Sequence, residues 1–143
     1  KTKIDKSVKS LLNEEEKFGI KKYQTYQNFA KKVYKIRDSV RKNILKLKEN
    51  GTKIIGYGSP AKATTALNFF GISNEIECIV EDNKLKQGKL LPGVKIPIVS
   101  KSDIKNKPDF ALVLAWNFIN EIKSKNVDLA HKFISIKDLE KKD

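Results

Sequence analysis

The sequence predicts an α/β fold, a Rossmann-like three-layer domain with a mostly parallel sheet, preceded by an N-terminal helical arm. From residue 52 to residue 136, short β-rich runs alternate with helical patterns, the order that builds βαβ units. The run D-F-A-L-V-L-A at 109–115 is continuously apolar, as in a strand covered on both faces. We therefore divide the chain into a helical arm at 1–50 and an α/β domain at 51–143.

Two helices are predicted in the arm. A long one covers residues 21–50, where apolar residues keep one helical stripe and Gly51 suits the position after the helix end. That stripe consists of Tyr26, Phe29, Ala30, Val33, Ile36, Val40, Ile44 and Leu47. The other helix is short, ends near Gly19, and is predicted by apolar residues at i, i+4, i+7 and i+8, namely Ile4, Val8, Leu11 and Leu12.

Five strands and two helices are predicted after Gly51. The strands are expected at 52–57, 75–80, 94–99, 109–115 and 132–136. The helices are expected at 60–70 and 117–125, with a brief helical turn beginning at Asp103. Ser59 is placed at the N-cap of the first of these helices, Pro60 at its first position, and Gly71 just past its end.

Composition excludes several classes of protein. The 143 residues, 39% of them hydrophobic, support one compact domain plus a helical extension. No apolar run approaches the ~20 residues of a membrane span, so we expect a cytoplasmic protein without a membrane partner. One cysteine, Cys78, and one histidine, His131, cannot form a disulfide framework or a Cys/His metal site. Because methionine is absent, we expect the chain to be part of a longer protein.

The formal charge of +13 favours an anionic partner, but its distribution argues against nucleic acid. Residues 1–50 carry 15 basic and 6 acidic side chains, so most of the excess lies outside the α/β domain. Arginine, whose planar guanidinium suits base and phosphate contacts, occurs only at Arg37 and Arg41. We therefore predict no nucleic-acid partner.

The segment Gly56-Tyr57-Gly58-Ser59-Pro60-Ala61 fits G-x-G-x-x-A directly after a strand and at a helix start. In that context, backbone N–H groups and the helix dipole hold a phosphate. The two glycines allow a tight turn and close ligand approach, Ser59 offers a hydroxyl, and Lys62 adds a positive charge. A tight strand-to-helix turn without a ligand is the alternative interpretation.

Two further segments end at the same predicted edge of the sheet. Glu81 and Asp82 lie 25 and 26 residues after Gly56, near the position where an acidic side chain accepts a ribose hydroxyl in dinucleotide-binding folds, although a solvated strand end explains them too. The following loop, 84–97, carries lysines that could close over an anion or simply face solvent, namely Lys84, Lys86 and Lys89.

Trp116 and Asn117 follow the buried strand and could contact a base or sugar, although the indole could also cap the core. Cys78 lies among apolar strand residues and is interpreted as a small buried hydrophobe, and His131 as a surface histidine. The sequence contains no convincing nucleophile and base pair, carboxylate dyad or metal set. We therefore predict a binding domain and assign no catalytic residue to the chain.

Taken in order, three segments resemble the C-terminal domain of the S-adenosylmethionine-dependent C-methyltransferases that act on nucleotide-linked sugars. They are G-Y-G-S-P-A-K-A-T-T-A-L-N at 56–68, E-D-N-K-L-K-Q-G-K-L-L-P-G-V-K-I-P at 81–97 and L-V-L-A-W-N at 112–117. The preceding E-E-E-K-F-G and the long helix extend the resemblance over 14–137. Ala63 departs from the family pattern, which often has glycine there.

The resemblance implies a transferase built from a cysteine-rich zinc domain, a middle domain that binds S-adenosylmethionine and carries the acid/base residues, and this domain. Zinc and the methyl donor would then be bound outside this chain, which alone would be inactive. The expected ligand is a nucleoside-diphosphate sugar (dTDP-linked or similar), the expected protein partner is the middle domain of the same chain, and the expected state is a monomer. The substrate-binding residues implied are Gly56, Tyr57, Gly58, Ser59, Lys62, Asp82, Lys86, Lys89, Trp116 and Asn117.

Two other functions are compatible with the residues. One is a binding module for NAD or another dinucleotide, supported by G-x-G-x-x-A and by Glu81 and Asp82. The other is a basic interaction domain without a small-molecule site.

Overall fold

The computed structural model describes residues 5–140, which form two compact units, one ending at Ile36 and one beginning at Arg37. The first unit contains α1 (Lys6–Phe18) and the first part of α2 (Tyr23–Glu49), so both predicted arm helices are present. Ile4, which was predicted to lie in the first helix, falls outside the described residues. The division into an arm at 1–50 and a domain at 51–143 stays a prediction.

The second unit is built on a five-stranded sheet in the order β3-β2-β1-β4-β5, with every neighbouring pair parallel. All five predicted strands are present, and the α/β, Rossmann-like fold class is confirmed. The strands are β1 (Ile54–Tyr57), β2 (Ile79–Val80), β3 (Ile98–Val99), β4 (Phe110–Val113) and β5 (Lys132–Ile134). The α-helices are α3 (Ala61–Phe70), α4 (Ile119–Lys125) and α5 (Ile136–Glu140), with 3₁₀ turns at Lys101–Asp103 and Trp116–Phe118.

Strand β1 lies at the centre of the sheet and of the core. All four of its residues are buried, which requires cover on both faces of the sheet. On one face, Ile55 and Tyr57 pack in a cluster with Val80 and Ala111 of the neighbouring strands. Gly56 lets β2 approach closely, because a Cβ at this position would lie 2.9 Å from Cγ1 of Ile79.

Only the C-terminal part of the apolar stripe on α2 is buried. Val40 and Ile44 are fully buried, whereas Tyr26 and Phe29 expose 57% and 66% of their surface. Arg41 joins α2 to the end of α3, because its guanidinium donates to the carbonyls of Phe70 and Gly71. The predicted periodicity was therefore correct, but the sequence pattern did not show which half of the stripe enters the core.

Several predicted helix boundaries were wrong. The turn expected to begin at Asp103 ends there, and α4 begins at Ile119 and not at residue 117. Helix α3 begins at Ala61, and no side chain caps it, because its N-cap residue is Pro60, which has no side-chain acceptor. Ser59, the predicted N-cap, lies one residue earlier and donates its hydroxyl to Glu81. The last strand ends at Ile134 and not at residue 136. There the Asp138 carboxylate accepts from the backbone N–H and the hydroxyl of Ser135, and α5 begins instead.

The second and third strands are shorter than predicted. Only Ile79 and Val80 of 75–80 form β2, and only Ile98 and Val99 of 94–99 form β3. Residues 91–96 close a turn in which the Leu91 N–H donates to the Ile96 carbonyl. The backbone there follows local turn hydrogen bonds, which the apolar pattern alone does not reveal.

Candidate functional site

A cleft of about 600 Å³ lies at the carboxyl ends of β1, β2 and β4. The chain leaves β1 toward β2 and leaves β4 toward β5 in the opposite direction, and open α/β sheets bind ligands at such a point. The cleft is therefore the candidate site. Its lining residues are Tyr57, Gly58, Ser59, Pro60, Glu81, Asp82, Lys86, Ala115, Phe118, Glu121, Ile122, Lys125 and Asn126.

The glycine loop after β1 forms a tight turn against the end of β2. Gly58 adopts a φ of +82°, a backbone conformation that residues with a Cβ rarely adopt. The N–H groups of Gly56 and Gly58 donate to the carbonyls of Cys78 and Val80. Both glycine N–H groups are thus used within the protein, which leaves the N–H of Ser59 as the next donor along the loop.

The Ser59 donors are held by the carboxylate of Glu81. Its Oε2 accepts from the backbone N–H of Ser59 at 2.8 Å and from the Ser59 hydroxyl at 2.6 Å. The Lys86 ammonium donates to the Ser59 carbonyl at 3.0 Å and lies 3.5 Å from the same Glu81 oxygen. The loop after β2 is therefore fastened to the loop after β1 by a charged network.

A second network crosses the floor of the cleft. The Tyr57 hydroxyl donates to Asp82 Oδ2 at 2.9 Å and accepts from Nδ2 of Asn126 at 3.1 Å. Burial, followed by the hydrogen bond to the Asp82 carboxylate, raises the pKa of Tyr57 to about 12. Tyr57 is therefore a neutral phenol at physiological pH, and its hydroxyl is fixed by one partner from the loop after β2 and one from the residue that follows α4.

The sequence did not predict the side of the cleft formed around α4. Phe118, Glu121, Ile122 and Lys125 recur at helical spacing and line the cleft together, and the Lys125 ammonium pairs with Glu121 at 2.6 Å. The helical spacing was the available signal. It did not indicate which face of this exposed, largely polar helix lines the cleft.

The ten predicted site residues do not all lie in the cleft. Five of them line it, namely Tyr57, Gly58, Ser59, Asp82 and Lys86. Gly56 is enclosed within β1, and Lys89 and Asn117 are exposed away from the cleft lining. The ammonium of Lys62 lies 4.2 Å from the centroid of the Trp116 ring, a cation–π contact, and Trp116 borders a separate apolar cavity beside α3 and α5.

Cys78 and His131 lie away from the cleft. Cys78 is half-buried against the core, and burial, followed by the charges of Glu77 and Asp103, raises the pKa of its thiol to about 11. The thiolate needed of a nucleophile is therefore scarce at neutral pH. His131 is exposed, as predicted.

Within residues 5–140, no group of three or more histidine, cysteine, aspartate or glutamate side chains is placed to hold a metal ion. The same residues contain no helix long and apolar enough to span a membrane. They also contain no buried side-chain nitrogen or oxygen that lacks a hydrogen-bond partner.

Comparison with known proteins identifies the family to which the chain belongs. The model of the C-methyltransferase C-terminal domain family matches residues 1–135. The chain belongs to this family. It is also similar to the C-methyltransferase NovU of Streptomyces niveus, with 36% identity over 118 residues, which cover 81% of this chain and 28% of NovU. The chain thus spans about a quarter of the length of this relative, and the predicted family resemblance is confirmed.

Proposed function

We propose that this C-methyltransferase domain recognises a nucleoside-diphosphate sugar, dTDP-linked or similar, for a methyltransferase that uses S-adenosylmethionine. The observation that supports it best is the cleft at the carboxyl ends of β1, β2 and β4, because it combines the position of a ligand site with fixed hydroxyl, amide and charged groups. In the proposed reaction, the enzyme removes a proton beside a keto group of the sugar and methylates that carbon.

The cleft suits the hydroxyl-rich portion of such a ligand. Asp82 is exposed and holds carboxylate oxygens toward the cleft, and Tyr57 and Asn126 supply a phenol and an amide fixed by hydrogen bonds. Sugar hydroxyls both donate and accept, so they match this mixed set of partners. Phe118 and Ile122 add apolar surface for a ring.

The diphosphate is proposed to extend from the glycine loop toward the start of α3. The N-terminal end of this ten-residue helix has no side-chain cap, and its dipole favours an anion. Lys62, the second residue of α3, is held over Trp116 and supplies a positive charge in the first turn of the helix. Asn117 and Lys89 are proposed as outer neighbours of the ligand. A ligand on this path contacts residues outside the cleft as well as residues that line it.

Methyl-donor and zinc binding are proposed for the remainder of the protein. The described residues offer no metal cluster, and NovU is several times longer than the segment it shares with this chain. The family match favours this division over a dinucleotide-binding module, because it covers nearly the whole chain and concerns methyltransferases. We assign no catalytic residue to this chain.

Replacing Lys62 tests the proposed path of the diphosphate. An ammonium hydrogen bond contributes roughly 1.5–3 kcal/mol, so Lys62→Ala should weaken dTDP or UDP binding about ten-fold or more. Lys107→Ala is the matched control, because it removes the same charge from an exposed residue before β4, at the opposite edge of the sheet. The measurement is calorimetric titration of the intact methyltransferase. Equal affinities in the two variants would remove Lys62 from the site.

A further inference from the structure

The place at which a glycine loop of this kind holds a phosphate is occupied here by the carboxylate of Glu81. In Rossmann-like folds, the N–H groups of this loop face a ligand phosphate. Here the Ser59 N–H and hydroxyl both donate to one oxygen of Glu81, at 2.8 and 2.6 Å. These are charge-assisted hydrogen bonds, roughly twice as strong as neutral ones. A phosphate that approaches Ser59 therefore meets a carboxylate in its place.

Glu81 is held in this position from several sides. Its second oxygen, Oε1, accepts from the N–H of Asn83 at 3.1 Å, and its side chain is only 13% exposed. Burial raises the pKa of Glu81, but the hydrogen bonds from Ser59 and Asn83 and the charge of Lys86 outweigh it and leave the pKa below its ordinary value. Glu81 is therefore a carboxylate at neutral pH, with a fixed orientation.

The charges around Glu81 also oppose a phosphate. Three carboxylates line the cleft, on Glu81, Asp82 and Glu121, against the two ammonium groups of Lys86 and Lys125. Both lysines already lie within ion-pair distance of a glutamate, Lys86 near Glu81 and Lys125 near Glu121. A diphosphate at Ser59 therefore gains its hydrogen bonds only if it displaces the carboxylate.

We propose that Glu81 competes with the ligand's phosphate groups for the Ser59 N–H and so sets the affinity and selectivity of the site. This inference rests on the proposed function for its ligand. Glu81 is a positioning residue, since it acts through the loop that it occupies. In the wild type, free phosphates and diphosphates bind weakly there, and a ligand is retained only when its other parts also contact the cleft.

Removal of the carboxylate tests the competition with inorganic pyrophosphate as the probe. Glu81→Ala in this chain should bind pyrophosphate about ten-fold or more tightly than the wild type does, and Glu81→Gln should be intermediate because a neutral amide competes less. Glu121→Ala is the matched control. It removes a carboxylate from the same cleft and releases Lys125 from its ion pair, as Glu81→Ala releases Lys86, but it leaves Ser59 engaged. Pyrophosphate affinity should therefore rise clearly less in Glu121→Ala than in Glu81→Ala. Thermal melts check that each variant is folded.

The amide resonance of Ser59 gives a readout that general electrostatics would not move. It should shift on pyrophosphate addition in Glu81→Ala and stay unchanged at the same concentrations in the wild type. Equal gains in Glu81→Ala and Glu121→Ala, or no gain in folded Glu81→Ala and Glu81→Gln, would overturn the competition. Because pyrophosphate carries no nucleoside or sugar, either result decides the role of Glu81 alone. Recognition of a nucleotide-sugar is tested separately by the Lys62 variant.

Discussion

Individual residues in the glycine motif have different tasks, although the motif suggests one shared role. Gly56 is enclosed between β1 and β2, and its N–H completes a strand hydrogen bond to Cys78. Gly58 turns the chain with a positive φ, and Ser59 binds Glu81. The first glycine therefore serves packing, and only the later residues of the motif face the cleft.

Substituting Gly56 should lower stability without any ligand present. The added Cβ of Gly56→Ala would lie 2.9 Å from Cγ1 of Ile79 and 3.2 Å from Cδ1 of Leu114, both of which are buried. Overpacking of this kind costs about 1–3 kcal/mol, so the melting temperature should fall by roughly 4 °C or more. Thr65→Ala, on the exposed face of α3, is the control. Equal melting of Gly56→Ala and the wild type would contradict the packing role.

For single residues, the sequence predicted which side chains follow β1, β2 and β4, because strand ends and turn residues carry local signals. It did not predict that Glu81 points at Ser59. The spacing from Gly56 places the carboxylate at the correct edge but leaves its rotamer undetermined. Asn126 was missed for a related reason, since its hydrogen bond to Tyr57 joins residues 69 positions apart.

Among the elements, the β1–loop–α3 unit was the most predictable part of the chain. Hydrophobic runs, a glycine turn and Gly71 at the helix end specify it locally. The short strands β2 and β3 were less predictable, because turn hydrogen bonds shorten them. The helical spacing of apolar residues predicted the helices of the first unit, but it did not predict which of their side chains are buried. Among the described residues of α1, none is buried.

The apolar side chains of the first unit are proposed to dock against the rest of the methyltransferase. The first unit exposes large apolar side chains, because more than 40% of the surface of each of these residues is accessible: Val8, Leu11, Leu12, Phe18 and Phe29. Leu11→Ser combined with Leu12→Ser should weaken association of this chain with the separately produced remainder of the protein.

The same double variant should leave the stability of the second unit nearly unchanged, because α1 contributes no buried residue. Lys9→Ser is the control for polar substitution on α1. Association is measured by calorimetry and stability by thermal melting. Undiminished association of the double variant would assign the docking surface to other residues.

For the whole molecule, the net charge and the charges in the cleft suggest different partners. The +13 net charge alone suggests an anionic partner such as nucleic acid, membrane or phosphate, but the cleft at the carboxyl edge of the sheet contains more carboxylates than ammonium groups. Most of the excess positive charge lies in residues 1–50, and none of the residues that line the cleft comes from that range. Net charge reports on solubility and non-specific attraction, and it does not identify the ligand of a particular cleft.

Hydrogen–deuterium exchange of the intact methyltransferase with a dTDP-linked sugar tests nucleotide-sugar recognition most directly. We expect the ligand to slow exchange in residues 57–62 and 81–89, which form the glycine loop, the start of α3 and the loop after β2. S-adenosylmethionine alone should slow exchange outside residues 51–143. Protection by the sugar nucleotide confined to the remainder of the protein, or protection of the glycine loop by S-adenosylmethionine, would contradict the proposed function.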